Sequence, residues 1–190
     1  KELGEFSVFG VKEILYNNPA LKYKIKSQLT KKQRNLDFYR NYMKCDRLPA
    51  RLLKMLDHEE LTAFYGCTLG SRHSGHHLPA IMPITTELMR FLGLYIAEGS
   101  TRKTLRGTAL SFGSHEKKLV EYAAKLCKTV FGIEPVIRKA HKTAINVELP
   151  SMTISFFLAK LLGCGIGARQ KRLPFVVLNT SKELATEFLF

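Results

Sequence analysis

Residues 91–99, reading Phe-Leu-Gly-Leu-Tyr-Ile-Ala-Glu-Gly, constrain this chain more than any other stretch. The run is apolar and helix-compatible, and it ends in an acid followed by glycine. A helix that is apolar nearly all round is buried, which predicts one buried helix over residues 84–99. Glu98 then falls at its buried end, where a carboxylate without a partner is costly. Gly93, lacking a side chain, lets another backbone approach closely. Core helices also stop at glycine, so a plain core helix is the alternative reading of these nine residues.

The segments that follow bear on that choice. Residues 108–112 read as a strand, with an earlier strand near 100–105. Ser114 is placed to cap a helix over 115–131, whose period runs through Leu119, Tyr122, Ala123, Leu126 and Val130. Gly132 closes it. Residues 136–140 and 144–149 read as a hairpin turning near His141, Lys142 and Thr143. A third helix starts at Ser151 or Thr153, runs through Leu162 and stops at Gly163. The order is α-β-β-α-β-β-α, an α+β class. Upstream, residues 1–83 read as a mixed, basic α/β extension. Residues 23–29 alternate like a half-exposed strand. Thr30 caps a basic helix over 31–44 with Leu36, Phe38, Tyr39 and Met43 on its apolar side. Pro49 opens a short helix over 50–56, and residues 64–69 read as a strand.

Charge narrows the partner. Thirty Lys and Arg stand against 16 acids, a net charge of +14, which points to a polyanion, and to nucleic acid before a membrane surface. No apolar run is long enough to span a bilayer, and no signal-peptide pattern opens the chain. The expected setting is cytoplasmic. Cys45, Cys67, Cys127 and Cys164 form no CxxC pair and read as reduced thiols. Residues 72–77 hold His73, His76 and His77, but no Cys or acid lies nearby, so a charged loop is favoured over a metal cluster. The chain opens mid-element and reads as a fragment.

The Leu92-Gly93 to Ala97-Glu98-Gly99 pattern resembles the first motif of the LAGLIDADG homing endonucleases, and within them the intein-encoded branch. Residues 167–174, with Lys171-Arg172-Leu173-Pro174, resemble the basic segment these proteins carry between two repeats. Residues 183–190 resemble the approach to a second motif helix. The resemblance implies a curved antiparallel sheet, a first repeat over 84–178 and the start of a second over 179–190. It implies Glu98 as a ligand of Mg²⁺ (or Mn²⁺), with carbonyls from Ala97 and Gly99, and phosphodiester hydrolysis in double-stranded DNA. One acid cannot build a two-metal site, so a second repeat in cis or a second copy of the chain is implied. Lys171 is the matching candidate for the catalytic basic residue that polarises water or stabilises charge near the metals, although it and Arg172 also read as plain surface residues. No splicing signature is present: position 1 is Lys and the end is not His-Asn.

DNA contacts are expected from the sheet. Alternation puts Ile145, Val147 and Leu149 on one face and Asn146 and Glu148 on the other. It likewise puts Arg138 and Lys142 on one face of the partner strand, with Lys139 and His141 opposite. A β-ribbon fits the major groove, where Arg and Asn read base edges. Arg102, Lys103 and Arg106, at the first strand and its turn, are expected on phosphates or bases; a solvated basic face is the plain alternative. Two other functions fit the pattern. One is a non-cleaving nucleic-acid binder on the same fold, such as a maturase or transcription regulator. The other is a homodimeric single-motif endonuclease.

Overall fold

The computed structural model describes residues 6–31, 33–71 and 75–189, without the side chains of 34–37, 39 and 168. The chain divides into two compact units, Lys1–Met82 and Pro83–Phe190.

The first unit is more regular than its sequence suggests. Strand β1 (Phe6–Phe9) leads into helices α1 (Lys12–Asn17) and α2 (Pro19–Ser27), then a π-helical segment, Gln33–Met43. Strand β2 (Arg47–Pro49) and a 3₁₀ helix (Ala50–Met55) precede α3 (His58–Thr62), β3 (Thr68–Ser71) and β4 (Leu78–Pro79). The strands form one antiparallel sheet in the order β2-β1-β3-β4.

Several expectations are corrected here. The strand expected at 23–29 is helix α2. Pro19 occupies its first turn and the Asn18 side chain accepts from the Leu21 amide at 3.0 Å, an N-terminal signal that outweighs alternation. Its buried residues, Leu21 and Ile25, are four apart, and Tyr23 is 76% exposed. The helix expected at 31–44 is π-wound; Phe38 and Met43, five residues apart, are both buried. The side chains of Leu36 and Tyr39, expected on its apolar side, lie outside the described residues. The strand expected at 64–69 begins only at Thr68: α3, started by a reciprocal capping box of Asp57 and Glu60, runs on into turns over 63–66, with the Phe64 amide donating to Leu61 and the Tyr65 amide to Thr62. The short helix after Pro49 is 3₁₀. Of the His-rich loop, Arg72, His73 and Ser74 lie outside the described residues. His77 stacks on Phe9 with ring centroids 4.5 Å apart, which is packing.

The second unit follows the expected order. Helix α4 (Thr86–Glu98) is capped by the Thr85 hydroxyl, which accepts from the Leu88 amide. Next come β5 (Gly99–Thr101), β6 (Thr108–Gly113), α5 (Lys117–Phe131), β7 (Val136–His141) and β8 (Ala144–Leu149). Helix α6 (Met152–Phe156), capped by Ser151, runs on into a π turn (Phe157–Leu161). A 3₁₀ turn (Ala168–Gln170) and the short helices α7 (Phe175–Leu178) and α8 (Lys182–Glu187) close the unit. The antiparallel sheet runs β5-β6-β8-β7. This is the mixed α+β architecture expected.

The start of α5 is moved by two residues. The Ser114 amide donates to Thr143, which holds that residue to the hairpin. Glu116 takes the cap position, and its carboxylate accepts from the Gly113 amide at 2.6 Å. Gly132 ends α5 in the left-handed conformation, φ +65°, as glycine does at low cost.

The core lies on one side of this sheet. Leu110, Phe112, Val147 and Leu149 are buried. Against them lie Leu88, Met89, Phe91, Leu92 and Tyr95 of α4 and Val120, Ala123, Leu126 and Phe131 of α5. Phe131 meets Phe91 edge-on at 4.8 Å and Phe157 at 6.4 Å, joining α4, α5 and the π turn. Polar groups inside are paired. Tyr95, Thr101, Thr108 and Ser155 form a chain of hydroxyl hydrogen bonds of 2.7, 3.0 and 3.1 Å, which ends on the Ser151 carbonyl. Burial pushes the thiols of Cys127 and Cys164 up to about 12, so both are neutral packing groups.

Candidate nucleic-acid interface and helix end

Glu98 is exposed, not buried. The buried positions of α4 are Leu88, Met89, Phe91, Leu92 and Tyr95, a stripe at three- and four-residue spacing. The last turn runs past that stripe: Ile96 is half-buried, and Ala97 and Glu98 face solvent. Glu98 therefore carries no desolvation cost of the kind its sequence position suggests. Gly99 is buried, and a Cβ there would strike the ring and backbone of Tyr95. The chain turns at Gly99 from helix into β5.

Lys171 comes to this helix end from 74 residues beyond Ala97 in sequence. Its Nζ donates to the carbonyls of Ile96 at 2.8 Å and Ala97 at 2.9 Å. The last carbonyls of a helix have no partner within it, and that end carries partial negative charge; an ammonium answers both. Burial lowers the Lys171 pKa, and the nearby Glu98 carboxylate opposes that shift. The Ala97 carbonyl, expected on a metal, is thus engaged by Lys171. Lys171 also lines a cleft of about 560 Å³ with Lys160, Arg169 and Arg172. Nothing in the spacing of Lys160 and Arg169 signals that cleft, because the fold of three glycine turns at 163, 165 and 167 sets it.

Gly93 meets a backbone, as its position in the motif suggests. A Cβ there would strike the Phe188 carbonyl just past α8. Arg90 of α4 donates to Glu187 of α8 at 2.7 Å, one turn from that contact.

The other sheet face is bare. Register places Ala109, Glu148 and Val136 side by side, then Ser111, Asn146 and Arg138. A bulge follows. Ala140 has no partner on β8, and His141 pairs with Ala144. This corrects the expected alternation: His141 joins the Arg138 face, and Lys142 lies in the turn rather than on the strand. All six β7 residues are exposed. Small residues (Ala109, Ser111, Gly113, Ala144) leave Val136, Arg138, His141, Asn146 and Glu148 as the larger groups of that face. The Ser111 hydroxyl donates to Asn146 Oδ1 at 3.0 Å. Arg138 Nε lies 3.8 Å from Glu148 Oε2.

Arg102, Lys103 and Arg106 lie exposed on the β5–β6 connection, since β5 stops at Thr101. The connection is pinned by Arg102 N–H to the Gly107 carbonyl and Leu105 N–H to the Arg102 carbonyl, with Leu105 at φ +54°. Arg102 and Arg106 meet Arg138 and Glu148 around a cleft of about 190 Å³. Among the described residues, no group of three or more His, Cys, Asp or Glu could hold a metal ion, and no helix is long and apolar enough to cross a membrane.

A family model described as a LAGLIDADG-like domain matches residues 85–189. The chain belongs to the LAGLIDADG family. The match begins at the cap of α4 and ends just past α8, so the LAGLIDADG domain takes in nearly all of the second unit. Two curated relatives are similar. The DNA polymerase II large subunit of Thermococcus kodakarensis is 26% identical over 156 residues, 80% of this chain and 8% of that protein. An uncharacterised protein of Methanocaldococcus jannaschii is 27% identical over 112 residues, 56% of this chain and 14% of that protein. The chain spans a small part of either relative.

Proposed function

We propose that this LAGLIDADG domain is half of a site-specific endonuclease, the homing endonuclease domain of an intein, hydrolysing phosphodiester bonds of double-stranded DNA with Mg²⁺ or Mn²⁺. One observation carries the reading: a bare sheet face edged by Arg102, Arg106 and Arg138 shares a unit with an exposed carboxylate at the end of the motif helix. The match to 8% of a polymerase subunit supports a domain carried inside a host protein.

The residues fit the metal as one contributor. Mg²⁺ keeps several waters and takes one or two carboxylates plus substrate phosphate oxygens, and Glu98 is an open oxygen donor of that kind. When bound, such an ion activates water and stabilises the leaving oxygen. The chain's own residues do the remaining work. Lys171 neutralises the end of α4 and holds the last turn in place beside Glu98. The Ala97 carbonyl joins the metal only if Lys171 releases it, and Gly99 lets the chain turn sharply below the acid. Arg102, Lys103, Arg106 and Lys142 neutralise phosphates, and Arg138 and Asn146 face base edges. The second acid comes from a second repeat in cis. A second copy of the chain is less well supported, because α8 already lies on α4 at Gly93.

A second reading has its own observation. Lys171 occupies the Ala97 carbonyl and, among the described residues, Glu98 has no acidic cluster around it, which suits a binder that does not cut. A cleavage assay on the native target, using the protein that carries both repeats, separates the two. Glu98→Gln abolishes Mg²⁺-dependent cutting and keeps binding in Ca²⁺. Full cutting by that variant contradicts the role of Glu98. Specific binding without cutting by the unaltered protein selects the second reading.

A further inference from the structure

An acid at the centre of a polyanion-binding face is out of place. Glu148 is such an acid. Its carboxylate shares a cleft with Arg102, Arg106 and Arg138, and its side chain is 20% exposed beside Arg138 at 67%. Against a phosphate it would repel, since like charges at short range are unfavourable. The pair with Arg138, at 3.8 Å, is loose, and its arginine is open to water although the carboxylate is mostly covered; an ion pair with one solvated partner at that distance contributes little to stability. Neither phosphate binding nor folding explains the residue.

Its neighbours suggest what does. In the register of the sheet, Glu148 stands between Ala109 and Val136, one row along from Asn146 and Arg138. In the major groove, Arg donates to guanine O6 and N7, and a carboxylate accepts from the exocyclic amine of cytosine. The Asn146 oxygen accepts from Ser111, and its amide nitrogen remains to donate. Glu148 is then the carboxylate acceptor among groups that can donate, Arg138, Asn146 and His141.

We propose that Glu148 is a specificity-determining residue, accepting a hydrogen bond from cytosine N4 at one position of the duplex, while Arg138 reads a guanine at another. The inference rests on the DNA-binding reading and deepens it. The carboxylate weakens binding to duplex in general and strengthens discrimination at one base pair.

The test is selection of binding sites from a randomised duplex pool by the full chain, with Glu148→Gln and Arg138→Ala compared. Gln keeps the size of Glu and removes the charge. The unaltered chain enriches cytosine at one position, with a preference on the order of tenfold. Glu148→Gln loses that preference, retains the others, and binds unselected duplex a fewfold more tightly. Arg138→Ala loses a guanine preference at a different position. A Gln variant with an unchanged base profile overturns the proposal. So does loss at the same position as Arg138→Ala, which makes Glu148 a mere anchor for the arginine. Failure of the unaltered chain to retain any duplex at low salt removes the DNA-binding reading itself, and is told apart because it appears before any variant is compared.

Discussion

The two four-stranded sheets differ in what covers them. In the first unit, Phe6, Ser7 and Val8 of β1 are all buried, as are Leu69, Gly70 and Ser71 of β3. Successive strand residues point to opposite faces, so that sheet is closed on both sides. In the second unit burial alternates along β6, and β7 is exposed from end to end. Charge does not separate the units, since residues 1–82 hold 14 Lys and Arg against 8 acids and the remainder 16 against 8. The open face does. A basic composition suits any polyanion; an uncovered sheet face adds side chains set out in the register that a groove could accept.

The comparison is broken most directly by stability. Phe6→Ala should cost about 3 to 5 kcal/mol, the usual range for a buried aromatic, whereas Val136→Ala on β7 should stay within about 0.5 kcal/mol. Denaturant unfolding checks both, and equal losses would mean that β7 is covered in solution. The second unit, with one face bare, depends on its helical side. Gly93→Ala sharpens this point because two effects oppose each other. Helix propensity favours Ala by about 1 kcal/mol; the clash with the Phe188 backbone costs about 1 to 3 kcal/mol. A net loss in thermal stability is expected, and a gain would show that α8 does not rest on α4. A small effect is also expected of the Arg90–Glu187 pair. Hydrogen bonding to Glu187 raises the arginine's already high pKa, yet the pair is partly solvated, and a double-mutant cycle should return a coupling well below the loss in Phe6→Ala. Its contribution should shrink further in high salt.

The second unit is more legible in sequence than the first. Its helices α4 and α5 are long, burial alternates along β6, and Thr85, Ser151 and Gly132 sit where caps belong. The first unit is built from short pieces whose signals compete. Alternation at 23–29 conceals a helix announced by Asn18 and Pro19, and the Asp57–Glu60 capping box is a sequence signal that outranks the apolar run after it. At the site, Glu98, Gly93 and Lys171 are visible as a motif. The exposure of Glu98 is not, because a nine-residue pattern does not show where the buried stripe of α4 ends. Nor is the meeting of Lys171 with the Ala97 carbonyl, which depends on how the chain returns from residue 171 to residue 97. The β-bulge at Ala140, which turns His141 onto the open face, has no mark in the sequence, since nothing there distinguishes it from continuous alternation.

The open face is tested most directly by the salt dependence of duplex DNA affinity. Three proteins are compared: the full chain, Arg102→Ala/Lys103→Ala/Arg106→Ala, and a control, Lys44→Ala/Arg51→Ala/Lys54→Ala, which removes three exposed cations from the first unit. Each phosphate left without its cation lowers the slope of log affinity against log salt by about 0.9. The first variant should lose up to about three such steps and the control none. A control whose slope falls as far as that of the first variant would show diffuse attraction to the whole basic chain, and would contradict an interface on the open sheet.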